Sequence, residues 1–237
     1  MKLKTDLTVI LPIYNPPAGW ENKIDSSIEK LLSMSKDVSI KFHLINDGSS
    51  VCLEDGFNLL RTAYDNVEIT SYPVNKGKGF ALKTGLNGSD SEHYIYTDWD
   101  FPFGEKALFN VYDLLKQNKS DLVIGVRSKD YYSALPFSRR LLSRGLRFTN
   151  FFLLNFKAID TQAGIKGLNN DARHIFVNTK TNGFIFELEF IRACFRKKMS
   201  MSYLNVSPRH DISFNNISTK TIARELNFLF KLIFSRS

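Results

Sequence analysis

The stretch "IYTDWDFPFG" (residues 95–104) closes an apolar, aromatic run, "HYIYTD", with two aspartates flanking a tryptophan. The run reads as a strand, and carboxylates at a strand terminus are costly to desolvate unless positive charge sits on them. Asp98 and Asp100 therefore read as candidate holders of a cation. Hard divalent cations take carboxylate oxygens, and Mg²⁺ typically combines one or two carboxylates with substrate phosphates.

Outward from this point, strand-like and helix-like segments alternate. "LTVILPIY" (7–14) is a continuous apolar, β-branched run, as expected of a strand covered on both faces. "GWENKIDSSIEKLLSM" has helical spacing through Ile24, Ile28, Leu31 and Leu32. "SIKFHLIND" (39–47) is a second strand, ended by the turn cluster "DGSS", which can also cap the next helix. A third, "VEITSYP" (67–73), leads through "VNKGKG" into the helix "FALKTGLNGS". Beyond "HYIYTD" come a helix around "GEKALFNVYDLLKQN" and a fifth strand, "DLVIGVRS" (121–128). This alternation predicts an α/β fold with a mostly parallel sheet wrapped by helices.

In such sheets ligands bind beyond the carboxyl ends of the strands. Tyr14 and Asn15, Asp47 to Ser49, Asn75 to Gly79, Asp98 to Asp100, and Arg127 with Ser128 all follow strand ends. They are expected to converge on one edge. There the "NKGKG" loop can bring backbone N–H groups and lysine charge against phosphate oxygens, opposite the D-x-D pair.

The second half reads differently. "FSRRLLSRGLRFTNFFLLNF" (137–156) mixes four arginines with phenylalanine and leucine at largely helical spacing. "DTQAGIKGLN" (160–169) reads as a polar-to-glycine loop, and "GFIFELEFIRACFRKK" (183–198) carries Glu187 and Glu189 inside an apolar segment. The tail has Ile222, Leu226, Leu229, Phe230 and Ile233 on one helical face. The expected organisation is one domain over 1–220 and an amphipathic helical tail over 221–237.

With 237 residues, 43% hydrophobic and 24% charged, the composition is that of a globular protein with a sizeable core. No run approaches the roughly 18 apolar residues of a transmembrane helix, and the proline-interrupted N-terminus does not read as a signal peptide. Cys52 and Cys194 match no metal spacing or paired framework and read as reduced thiols. The net charge of +8 points to a polyanionic partner: nucleic acid, anionic lipid or a phosphorylated substrate. Prolines and acidic residues interrupt the basic clusters, and no nucleic-acid-binding motif is present, which argues against a nucleic-acid partner. A nucleotidyltransferase would open with a glycine-rich, arginine-containing loop, which "PIYNPP" is not.

In order along the chain, "VILPIYN", "LINDGSS", "NKGKGFALKTGL", "TDWDFP", "DLVIGVRS", "RRLLSRG", "DTQAGIKGL" and "GFIFELEFI" resemble family 2 glycosyltransferases of the GT-A fold. The resemblance is strongest to the branch of dolichol-phosphate mannose synthase and dolichyl-phosphate glucosyltransferase, and covers roughly residues 7 to 220. It implies a GT-A (Rossmann-like) domain that transfers a sugar from a nucleotide-diphosphate sugar, with inversion, to a polyprenyl phosphate. Pro12, Tyr14, Asn15 and Asp47 would border the nucleotide, Lys78 would lie near the diphosphate and Asp98 would face the ribose and the metal-bound phosphates; Trp99 would either pack as core or stack near the donor. Asp98 and Asp100 would hold Mg²⁺ or Mn²⁺, with Gln162 and Glu187 beside the reacting sugar. Arg127, Arg139 and Arg209 match arginines that meet acceptor or donor phosphate.

Three departures stand out: Asn46 where the family commonly has a first aspartate, Pro102 where a polar metal ligand often stands, and Trp99 in place of a small residue. The "DTQ" loop tilts the donor towards a UDP-sugar over a GDP-sugar. If the acceptor were a hydroxyl of a growing cell-surface glycan, Glu187, Asp160 or Glu189 would be its base. A lipid phosphate is already an anion and needs arginines instead. The basic, amphipathic segments 137–156 and 221–237 fit a peripheral position on a membrane surface, expected at the cytoplasmic, inner face.

Overall fold

The computed structural model describes residues 5–35, 37–117, 120–127, 163–183 and 186–209. The first half alternates as the pattern predicts: β1 (Thr5–Ile13), α1 (Trp20–Met34), β2 (Ile40–Asp47), α2 (Glu54–Ala63), β3 (Val67–Tyr72), α3 (Lys78–Asn87), β4 (Ser91–Thr97), α4 (Gly104–Lys116) and β5 (Leu122–Arg127). Then follow β6 (Ile165–Asn169), α5 (Asn170–Val177), α6 (Phe186–Arg196) and β7 (Met201–Val206). The strands form one seven-stranded sheet in the order β3-β2-β1-β4-β6-β5-β7. All neighbours are parallel except β6, which runs antiparallel to both β4 and β5. This is the GT-A arrangement.

The sheet is buried on both faces, which is why its central strands are apolar without interruption. On one side Leu7, Val9, Leu11 and Ile13 of β1 join Phe42, Leu44 and Ile95 under α1, α2 and α4. On the other, Ile10, Ile45, Tyr94 and Tyr96 meet α3, α5 and α6. Helix α1 presents Trp20, Ile24, Ile28 and Leu31 to the first layer at the predicted spacing. Each such fully buried apolar side chain contributes about 1.5–3 kcal/mol. Both cysteines are free; Cys194 is buried, and burial lifts its thiol to about 12.

The second half corrects one sequence reading. Residues 165–169, expected within a loop, form β6 in the middle of the sheet. The one charged residue of this stretch, Lys166, is fully buried and ion-paired with Glu187 at 2.8 Å. Gly167 is required by packing rather than by a turn, because a Cβ there would collide with Val111 and Leu115 of α4. Asn169 then caps α5, its side chain accepting from the Ala172 amide. The tail 221–237 and the segment 137–156 lie outside the described residues.

Candidate active site

The carboxyl ends of β1, β2 and β4, with the loop after β3, surround a cleft of about 450 Å³. Pro12 and Tyr14 enter it from the end of β1, Asp47 from β2, Asn75, Gly77 and Lys78 from the loop into α3, and Asp98 with Trp99 from the end of β4. Gly183 completes the lining. Trp99 also packs partly against the core, so it both walls the cleft and anchors its own loop.

Asp47 organises the floor. Its Oδ1 accepts from the Tyr72 hydroxyl and the Lys76 amide, and its Oδ2 from the Asn75 side chain and the Gly77 amide, all at 2.8–3.0 Å. A carboxylate 3% exposed is thus satisfied by four donors, and those bonds set the shape of the "NKGKG" loop. Gly48 makes the close approach possible: its φ of 64° is left-handed, and a Cβ there would strike the Val74–Asn75 backbone. Asn15 has a parallel task, since its side chain accepts from the Ser50 amide and hydroxyl while its own amide donates to Ser49 Oγ. It ties the ends of β1 and β2 together and is not among the cleft-lining residues.

At the centre, Lys78 Nζ donates to Asp98 Oδ1 at 2.6 Å. Burial opposes the ammonium charge, but the carboxylates of Asp98, Glu187 and Asp100 outweigh it and raise Lys78 above its ordinary value. Asp100 is displaced in the other sense: burial, then the charge of Asp98, raises its carboxyl, with Lys23 and Lys78 only partly compensating. Two carboxylates at one strand end, one strained by burial and its neighbour's charge, are a donor set that a hard divalent cation would relieve. Asp100 opens onto an adjoining hollow of about 210 Å³ that also contains Lys23, Lys30 and Arg209. Arg209 lies 3.6 Å from Glu105, and its amide donates to Pro102 O.

The two glutamates of α6 are both engaged. Glu187 Oε1 accepts from Lys166 Nζ at 2.8 Å and from the Tyr96 hydroxyl at 3.2 Å. Burial and then the Glu187 charge hold the Tyr96 phenol well above its usual range, which keeps it a donor. Glu189 accepts from the Lys180 and Thr181 amides and from the Thr181 hydroxyl. Arg127 sits at the end of β5, on the same edge as Asp98 but not in the cleft lining. Gln162, Arg139 and Asp160 lie outside the described residues.

Sequence reasoning passed over Lys166, Lys83, Tyr72 and Asn182, which hold the site without lining it as charges. A lysine set among isoleucine, glycine and leucine in "IKGLN" was the available signal for Lys166. Nothing local marks the others, because the partners that matter here lie 25 or more residues away in sequence.

Residues 8–176 match the model of "Glycosyl transferase family 2". The chain belongs to that family. It is 29% identical over 202 residues to the dolichyl-phosphate beta-glucosyltransferase of Dictyostelium discoideum, an alignment covering 78% of this chain and 61% of that protein. The Saccharomyces cerevisiae protein of the same name is 24% identical over 221 residues, covering 85% and 66%. The chain thus spans about three fifths to two thirds of these relatives' length. Among solved structures, glucosyl-3-phosphoglycerate synthase from Mycobacterium tuberculosis, crystallised with Mn²⁺, uridine diphosphate and its glucosyl product, has a TM-score of 0.65. At 17% identity, covering 98% of this chain and 80% of that one, it shows a shared fold.

Proposed function

We propose that this glycosyltransferase moves a sugar, with inversion, from a nucleotide-diphosphate donor to a polyprenyl phosphate. The observation that carries the acceptor is the engagement of the acidic groups. Asp47 and Glu189 spend both oxygens on protein donors and Glu187 is held through Oε1 by Lys166 and Tyr96, so among the described residues around the cleft Asp98, paired with Lys78, and Asp100 are the carboxylates turned to open space. Those two suit a cation rather than a proton. A hydroxyl acceptor would need a base, whereas a phosphate monoester brings its own negative charge. The dolichyl-phosphate relatives support the same acceptor.

Donor binding follows from the cleft. Pro12, Tyr14 and the floor held by Asp47 would take the nucleoside, and the "NKGKG" backbone with Lys78 would face the diphosphate. Asp98 and Asp100 would hold Mg²⁺ or Mn²⁺, which supplies charge neutralisation on the departing diphosphate. Lys78 adds fixed positive charge where negative charge grows, the kind of preorganised electrostatics that dominates such reactions. Arg127 and Arg209, at the same edge, are the described cations placed for acceptor phosphate. The glucosyltransferase relatives and the uridine diphosphate in the solved neighbour favour a UDP-sugar. A lipid-borne acceptor would bring the enzyme to a membrane surface; among the described residues no helix is long and apolar enough to cross one.

The test is thermal stabilisation by UDP and GDP, each with and without Mn²⁺, for wild type and Asp100→Ala, followed by transfer from labelled UDP-glucose. Metal-dependent stabilisation by UDP, lost in the variant, and transfer to polyprenyl phosphate but not to polyprenol are expected. No shift with either nucleotide in folded protein would remove the donor assignment. Equal transfer to the alcohol would remove the phosphate-acceptor assignment.

A further inference from the structure

Residues 179–183 connect α5 to α6 and supply Gly183 to the cleft. They are fastened from three directions. From α3, the Lys83 ammonium donates to Thr179 O at 2.5 Å, Thr181 O at 3.0 Å and Asn182 Oδ1 at 3.0 Å. Three protons meet three acceptors, so the group is fully used. From α6, Glu189 accepts from the Lys180 amide at 2.7 Å, the Thr181 amide at 2.8 Å and the Thr181 hydroxyl at 2.6 Å. From the start of α3, the Gly79 amide donates to Asn182 O at 3.0 Å.

The third contact makes the arrangement matter for binding. A Cβ at Gly77 or Gly79 would come within 2.8 or 2.9 Å of Asn182 O, so the segment lies flush against the loop that carries Lys78. A displacement of 179–182 must therefore move Gly77, Gly79 and Gly183 together, and with them Lys78, which reaches Asp98. Neither Lys83 nor Glu189 lines the cleft. Burial lowers the Lys83 ammonium below its ordinary value, and the Glu189 carboxylate partly offsets it.

We propose that Lys83 and Glu189 are positioning residues that clamp segment 179–182 from its two sides and thereby hold the Lys78 loop in register for the donor's diphosphate. This rests on the reading of the cleft as the donor site. The clamp acts on donor affinity, because it shapes the wall opposite Asp98 and leaves the acceptor-side arginines untouched. Preorganised elements raise affinity by removing an ordering cost from binding.

The experiment is calorimetric titration of UDP with Mn²⁺ into wild type, Lys83→Met, Lys83→Arg and Glu189→Gln, with donor and acceptor KM measured alongside. Lys83→Met and Glu189→Gln should bind UDP about tenfold more weakly, the scale on which supporting residues act on a site. Their donor KM should rise in step while acceptor KM holds, and Lys83→Arg should recover part of the loss. Unchanged UDP affinity in the folded variants overturns the clamp. Should Lys83→Met not fold, amide hydrogen exchange on wild type decides: the Lys180 and Thr181 amides should be protected, and intrinsic exchange rates there overturn the proposal. Failure of wild type itself to bind any nucleoside diphosphate would strike the donor-site reading instead.

Discussion

Lys78 Nζ stands 2.6 Å from Asp98 Oδ1, and the backbone of Gly164 closes against the other oxygen of the same carboxylate. The ion pair is partly open, with 31% and 40% of the two side chains exposed, so it contributes little to stability. Its consequence is a lysine kept charged and aimed into the cleft. Lys78→Met is therefore expected to melt close to wild type yet lose about 100-fold in kcat/KM for sugar transfer, as removal of one electrostatic group at a reacting centre does. Steady-state kinetics beside a melting curve checks this. A large drop in melting temperature with kinetics preserved would show the pair to be structural.

Gly164→Ala isolates the same carboxylate without removing a charge. A methyl group there would collide with Asp98 Oδ2 and come within 3.6 Å of Lys78 Nζ. The carboxylate must turn away, so nucleotide binding in the presence of Mn²⁺ should weaken about tenfold, the scale for disturbing a site's supporting geometry. Wild-type UDP affinity in the alanine variant would show that Asp98 does not meet the donor.

Lys166 and Glu187 form a pair that is almost wholly buried, with 0% and 6% of the side chains exposed. Removing one partner strands the other, so Lys166→Met is expected to cost about 3–5 kcal/mol in urea unfolding. The double variant Lys166→Met with Glu187→Leu should recover most of that loss, because well-packed apolar substitutes for a buried ion pair are often neutral. The Lys166 ammonium also donates to Ala163 O, next to Gly164, so the single variant should weaken nucleotide binding as well.

His43 is fully enclosed on β2. Ser89 donates its hydroxyl proton to Gly85 O, so the short contact between His43 Nδ1 and Ser89 Oγ requires the ring to donate. Nε2 is then the acceptor for the Thr70 hydroxyl, and the imidazole is neutral. Burial lowers its pKa from the ordinary 6.5, only partly offset by Glu68. The folded chain therefore binds fewer protons than the unfolded one below 6.5, and stability falls as pH drops from there through the lowered value. Melting temperatures at pH 7.5 and 5.5 should differ less in His43→Gln than in wild type. An unchanged difference would assign the acid sensitivity elsewhere, His93 being the next group whose pKa burial lowers.

Much of the first half was legible because its signals are local. Strands β1, β2 and β4 are covered on both faces, which produces uninterrupted apolar runs, and α1 shows the 3.6-residue period of a one-sided helix. Polar clusters sit where such runs stop, so Tyr14, Asp47, Lys78 and Asp98 could be placed together before any coordinates. The second half hid β6. Its buried lysine and its glycine, with Gly164 just before it, carry the signature of a loop, and a glutamate 21 residues later makes that lysine tolerable inside a sheet.

By itself the sequence determined the family, the α/β order of elements and the edge at which polar groups gather, since each follows from periodicity and from motifs read along the chain. Tertiary structure decided what the charges do there. Asp47, Glu187 and Glu189 look alike in sequence to Asp98 and Asp100, yet Asp47 and Glu189 are held by protein donors on both oxygens and Glu187 on one, while Asp98 meets Lys78 in the cleft and Asp100 opens onto the adjoining hollow. The difference is one of desolvation. A carboxylate's role depends on which donors the fold brings to it as water leaves, and those donors come from strands and loops distant in the chain.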